Sequence, residues 1–156
     1  MRTVIPFLLA FLLLTSCATN ADFYSFYKEN KKEADFSLGA SAFLANAFIP
    51  KEDLGEGKVL LRKFHYYRIM VFSEKNDIDK KFDAFIKRNK YSSLLMVSDN
   101  GDKVNLYLLK EGDVIKEILL KVKSDDEFVL IDGKTKLLET EFYEILEQSN
   151  IEIAGL

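Results

Sequence analysis

Residues 94–131 hold four strand-like segments joined by very short turns, and no other stretch of the chain limits its fold as tightly. Leu94 to Ser98 precedes Asp99-Asn100-Gly101-Asp102, and Asn-Gly is a favoured two-residue hairpin turn. Val104 to Leu109 runs into Glu111-Gly112-Asp113, and Val114 to Val122 follows. Ser124-Asp125-Asp126 then turns into Glu127 to Ile131, where Asp132-Gly133 is expected to end the strand. Parallel neighbours need a crossover of roughly a dozen residues or more, so connections this short dictate an antiparallel meander. Val114 to Val122 is long enough to sit centrally and bend.

The flanking segments read as helices and two further strands. A first helix is expected over 22–33, with Phe23, Tyr24 and Tyr27 as an aromatic stripe, Phe26 beside it and a charged end. Phe36-Ser37-Leu38 alternates as a short strand. A second helix is expected from Ser41, with Phe43, Leu44, Ala47 and Phe48 at helical spacing until Pro50 interrupts it. Tyr67 to Phe72 reads as a strand. Asn76 or Asp77 then caps a helix whose Ile78, Phe82, Phe85 and Ile86 recur on one face. A last helix carries Leu138, Phe142, Ile145 and Leu146. The expected class is α+β: an antiparallel sheet with a four-strand C-terminal meander and helices packed on one face.

The N-terminus has a separate logic. Arg2 precedes Val4 to Leu14, 11 uncharged residues, which suit a signal-peptide h-region of about 7–15 and fall short of the ~20 that span a bilayer. Leu14-Thr15-Ser16-Cys17 has the pattern of a lipobox, with cleavage between Ser16 and Cys17 and lipid on the Cys17 sulfur. Ordinary cleavage after Ala18 is an alternative, since Ser16-Cys17-Ala18 also fits a general signal peptidase. A buried helix is a third, which Pro6 opposes. Cys17 is the only cysteine. Acylation there disposes of the lone thiol that an oxidising compartment would otherwise meet. The expected organisation is a leader over 1–16, a tether over 17–21, one domain over 22–150 and a tail over 151–156.

Composition narrows the partners. Removal of residues 1–16 leaves 140, with 21 basic against 25 acidic residues. A chain of pI near 5.3 lacks the electrostatic footprint for nucleic acid. Nor is it expected to bind anionic lipid by charge, so membrane contact falls to the acyl anchor. Two or three acyl chains, at ~0.8 kcal/mol per buried methylene, hold firmly where one binds reversibly.

No segment carries a strong catalytic pattern. His65, the single histidine, precedes Tyr66-Tyr67-Arg68 and is conceivable as a general base, but it reads better as a strand-entry residue. A zinc site wants three or four ligands, which are not in view. Asp99-Asn100-Gly101-Asp102 and Asp125-Asp126-Glu127 supply oxygen but do not match a calcium loop, and turn chemistry accounts for them. Gly55-Glu56-Gly57-Lys58 is too short to cradle phosphate and reads as a turn before Val59-Leu60-Leu61. The sequence therefore nominates no catalytic residue, no metal ligand and no cofactor. Tyr24 and Tyr27 remain as a candidate interaction surface, because tyrosine tolerates half-wet positions. An exposed edge strand of the meander could also recruit a partner strand.

The lipobox leader, the aromatic Phe23-Tyr24-Ser25-Phe26-Tyr27, Tyr67 to Phe72 and the helix ending at Asn89-Lys90-Tyr91 form one set with the hairpins from Leu94 and Asp126 to Gly133. Together they resemble the small Bacteroidota lipoproteins grouped as domain of unknown function 4252, over nearly the whole mature chain. The resemblance implies an exported, lipid-anchored α+β domain and no established activity. Surface-exported lipoproteins of the Bacteroides type often carry an acidic cluster just after the cysteine. Only Asp22 stands there here, which favours the periplasmic face of the outer membrane. The expectation is a non-enzymatic interaction or accessory module held to a membrane by its N-terminal lipid, with an unidentified envelope protein as partner. A periplasmic enzyme, and a soluble secreted domain, are the alternatives.

Overall fold

In a computed structural model, residues 22–44, 58–73, 77–99 and 102–148 are described. The expected leader, Cys17, the expected helical stretch after residue 44, Asn100-Gly101 of the expected hairpin turn and the expected C-terminal tail lie outside them.

Helix α1 spans Phe23–Asn30, strand β1 Phe36–Ser41, α2 Lys58–Leu61 and β2 Phe64–Phe72. Helix α3 spans Ile78–Arg88, followed by β3 Ser92–Asp99, β4 Asp102–Glu111, β5 Val114–Lys123, β6 Phe128–Leu138 and α4 Glu139–Gln148. The strands form one six-stranded sheet in the order β1-β2-β6-β5-β4-β3, and each pairing is antiparallel. The C-terminal meander is therefore present, and β2 docks on its β6 edge.

Side-chain alternation divides the core in two. On one face, Met70, Phe72, Leu119, Phe128 and Leu130 meet Phe23 and Phe26 of α1 and Ile78, Phe82 and Phe85 of α3. On the other, Leu108, Ile115, Ile118 and Leu137 meet Phe142, Ile145 and Leu146 of α4, with Leu60 and Leu61 of α2 alongside. Helices thus lie against the sheet, α1 and α3 on one face and α2 and α4 on the other. The last helix lies on the second face, where β6 passes into α4 without a linker, one residue beyond the inward-facing Leu137.

Two local differences from the sequence reading follow from packing. Strand β6 does not end at Asp132-Gly133 but runs on to Leu138. Gly133 is there because the Phe64 ring lies on it: a Cβ would stand 2.3 Å from a ring carbon. In α1, Phe23 and Phe26 are the buried pair, stacked with ring centroids 5.7 Å apart, whereas Tyr24 is 50% exposed. Asp22 caps this helix, its carboxylate accepting from the Tyr24 N–H at 3.1 Å. Asp77 occupies the cap position of α3 without a side-chain capping bond.

Candidate functional site

Three charged side chains, Arg68, Glu117 and Asp132, lie buried together on the α1/α3 face, where alternation would otherwise place apolar residues. A bulge between Ile115 and Glu117 turns the Glu117 carboxylate inward, so that Ile115 and Ile118 share one face while Glu117 and Leu119 share the other. Arg68 and Asp132 are register partners on β2 and β6, and their side chains meet at 2.6 Å. Arg68 also stands 3.8 Å from Glu117 Oε1. Its guanidinium lies between the rings of Tyr24 and Tyr66, 5.0 and 4.9 Å from their centroids. Glu117 Oε2 accepts from the Tyr91 hydroxyl at 2.5 Å and from the Phe23 N–H at 2.9 Å. Lys134, 4.0 Å from Glu117 Oε1, pairs with Asp22 at 2.5 Å.

Two buried carboxyls facing one guanidinium do not both ionise easily. Burial is the largest cause raising Asp132 well above the ordinary aspartate range. The Glu117 charge adds to it, and Arg68 opposes. Glu117 is also raised by burial, against the hydrogen bonds from Tyr91 and Phe23 that favour its charged form. Burial and the Glu117 charge push the Tyr91 phenol far up, so it stays a donor. Glu117 Oε1 and Asp132 Oδ1 have no hydrogen-bond partner among the described residues, although Glu117 is 1% and Asp132 0% exposed.

Beside Glu117 opens a cleft of about 610 Å³ whose wall includes Lys90, Lys110, Lys116, Lys134 and Lys136. Asp22, Glu111 and Glu117 are its acidic members. Lys110 pairs with Glu139 and Lys116 with Glu111. The opposite end of the sheet carries a smaller cleft of about 220 Å³ with Asp77, Asp79, Asp125, Asp126 and Glu127 in its wall. Among the described residues, no group of three or more His, Cys, Asp or Glu side chains converges to hold a metal ion. Nor is any described helix long and apolar enough to cross a membrane.

The residues singled out in the sequence fall in different places. Ser16 and Cys17 lie outside the described residues. Tyr24 covers Arg68, and Tyr27 packs partly buried against the α1/α3 core, so the two do not form one open patch. His65, exposed at the irregular start of β2, lines the lysine cleft together with Glu111 and Glu117. Sequence reasoning passed over Arg68, Glu117, Asp132 and Lys134. Their available signal was charge at inward positions of strands, visible only once the register is known.

The family profile of the domain of unknown function 4252 matches residues 27–141. The chain belongs to this family. Its match runs from α1 to the start of α4 and so takes in every strand of the sheet. Neither a curated protein nor a solved structure matches the chain.

Proposed function

We propose that this member of the family is a lipid-anchored cell-envelope protein, held at the periplasmic face of the outer membrane, whose domain is a non-enzymatic interaction or accessory module. The observation that carries the module reading is an apolar band on the α2/α4 face of the sheet. In register across the strands stand Phe36, Val71, Val129, Val122 and Val104, and beside them Leu38, Ile69, Ile131, Leu120 and Leu106. The band reaches the edge strand β1, where Phe36 and Leu38 are 51% and 47% exposed. Half-exposed apolar residues beside an edge strand fit an extended partner segment added antiparallel to β1, with alternate apolar side chains continuing the band. Envelope crosslinking should then capture one partner through such a segment, and Phe36→Asp with Leu38→Asp should abolish the crosslink. No reproducible crosslink, or one insensitive to both changes, defeats the module reading.

Attachment is supported by the lone cysteine at the end of the h-region and by the nearness of Asp22, the helix cap, to Cys17. Intact-mass measurement on protein from membranes tests it. The expected species is a lipid-modified chain starting at Cys17, lost in Cys17→Ala. An unmodified chain starting at Thr19 means the secreted alternative is correct. A periplasmic enzyme keeps one supporting observation, His65 in a cleft with Glu111 and Glu117. A turnover found for the protein and abolished by His65→Ala would replace the module reading.

A further inference from the structure

The lysine cleft has features that the fold itself does not need. Glu117 forms part of its wall, and one oxygen of that carboxylate is already satisfied by Tyr91 and the Phe23 N–H. The other, Oε1, is buried with no hydrogen-bond partner, a costly state that a donor from a ligand would relieve. Arg68 Nη1 at 3.8 Å and Lys134 Nζ at 4.0 Å already put positive charge beside that oxygen. A second ammonium is therefore disfavoured, and the fitting donor is neutral, a hydroxyl. The rim adds the complementary requirement. Five lysines against three carboxylates make the cleft basic on a chain of net charge −3. Lys90 and Lys136 have no ion-pair partner among the described residues. With lysine and no arginine among the cleft cations, the geometry suits phosphate held by point charges better than a carboxylate gripped by a planar fork.

We propose that this cleft binds a hydroxylated phosphate, a polyol or sugar phosphate, with a ligand hydroxyl on Glu117 Oε1 and the phosphate between Lys90 and Lys136. The same chemistry occurs in a free metabolite and in a phosphoglycerol lipid headgroup. Glu117 stands on the opposite face of the sheet from the apolar band, and the site does not depend on acylation of Cys17.

The test uses the full chain purified in neutral detergent. Equilibrium dialysis against glycerol 3-phosphate, inorganic phosphate and glycerol is combined with acetylation footprinting of lysines by mass spectrometry. Glycerol 3-phosphate should bind one site at least about tenfold more tightly than either fragment and protect Lys90 and Lys136. Lys90→Gly and Lys136→Ala should each weaken binding about three- to fivefold, while Lys80→Ala, at the other end of α3, leaves it unchanged. Vesicles of phosphatidylglycerol in phosphatidylcholine, set against phosphatidylcholine alone, separate the two sources. Protection by these vesicles without protection by free glycerol 3-phosphate assigns the ligand to a headgroup; the reverse assigns it to a soluble metabolite. Protection by neither, equal binding of inorganic phosphate, or indifference to both lysine changes overturns the proposal.

Discussion

Lys90 holds the left-handed conformation, with φ at 60°, at the position just beyond the α3 cap where glycine is the favoured residue. The Tyr91 N–H closes the turn onto the Ile86 carbonyl at 3.3 Å, as expected of a Schellman ending. A side chain in that conformation costs about 1 kcal/mol, so Lys90→Gly should raise unfolding stability by roughly 0.5–1 kcal/mol, read from urea midpoints. Loss of stability on this change would mean that the lysine side chain supports the fold. The buried carboxyls give the second expectation at this scale. Glu117 and Asp132 both have raised folded-state values, so the native state keeps protons that the unfolded chain releases from about pH 4 upward. Their contribution is fully present below that pH and is lost as pH rises through the folded values. Glu117→Gln removes one of these groups and the charge that lifts Asp132. The fall in stability as pH rises above about 4 should therefore be shallower than in the natural chain, and equal slopes would refute the assignment. Asp35 and Asp79 act in the opposite window. Asp35 is lowered chiefly by the Ser73 N–H, while Asp79 is lowered by Lys121 and Lys123 against its own burial, so their contributions disappear as pH falls below about 4.

Strand β6 shows where packing overrides local signals. Asp-Gly reads as a turn, yet Asp132 takes the Arg68 guanidinium and Gly133 takes the Phe64 ring, and the strand continues through both. Gly133→Ala should cost about 2 kcal/mol from overpacking, since the Phe64 ring belongs to the α2/α4-face core and packs on the Tyr67 ring at 5.3 Å, leaving it little room to retreat. A change below a few tenths of a kcal/mol in the urea midpoint analysis would show that Phe64 swings away freely. The same strand explains what was legible beforehand. Period-two patterning and short turns located β3, β4 and β5, because those pairings are local in sequence. The Ile78, Phe82, Phe85 and Ile86 face located α3 for the same kind of reason. The α1 burial pattern was less clear, since Phe and Tyr alternate around the helix and only the neighbours Phe82 and Phe85 decide which ring goes inside. Glu117 stayed hidden because its inward orientation depends on a bulge, and Arg68 gains Asp132 across 64 residues of sequence.

At the scale of the whole molecule, charge is sorted along the strands. The β4–β5 turn end carries the lysine cleft, and the β5–β6 turn end carries the acidic one. Net charge alone argued against an electrostatic role at an anionic membrane, but a −3 chain with a basic end is a different object from a uniformly acidic one. The tether adds direction. Asp22 belongs both to the α1 cap and to the lysine cleft, and the chain from Cys17 to Asp22 reaches at most about 18 Å when extended. With Cys17 acylated as proposed, the basic end is therefore the end held close to the headgroups, and its attraction adds to the anchor where the lysines come within about one Debye length, ~8 Å at physiological salt. The acidic end, with Lys80 beside it, points away. Acetylation of the membrane-attached chain by a soluble reagent should consequently label Lys80 faster than Lys90 or Lys136. Inserting about 20 Gly/Ser residues after Asn20 lets the domain sit on the order of 25 Å from the anchor on average, so the difference should shrink toward that of the detergent-solubilised chain. If the labelling ratio is the same for short and long tethers, the short spacer does not orient the domain. The basic end then owes its position at the membrane to charge alone, and raising salt should abolish the protection.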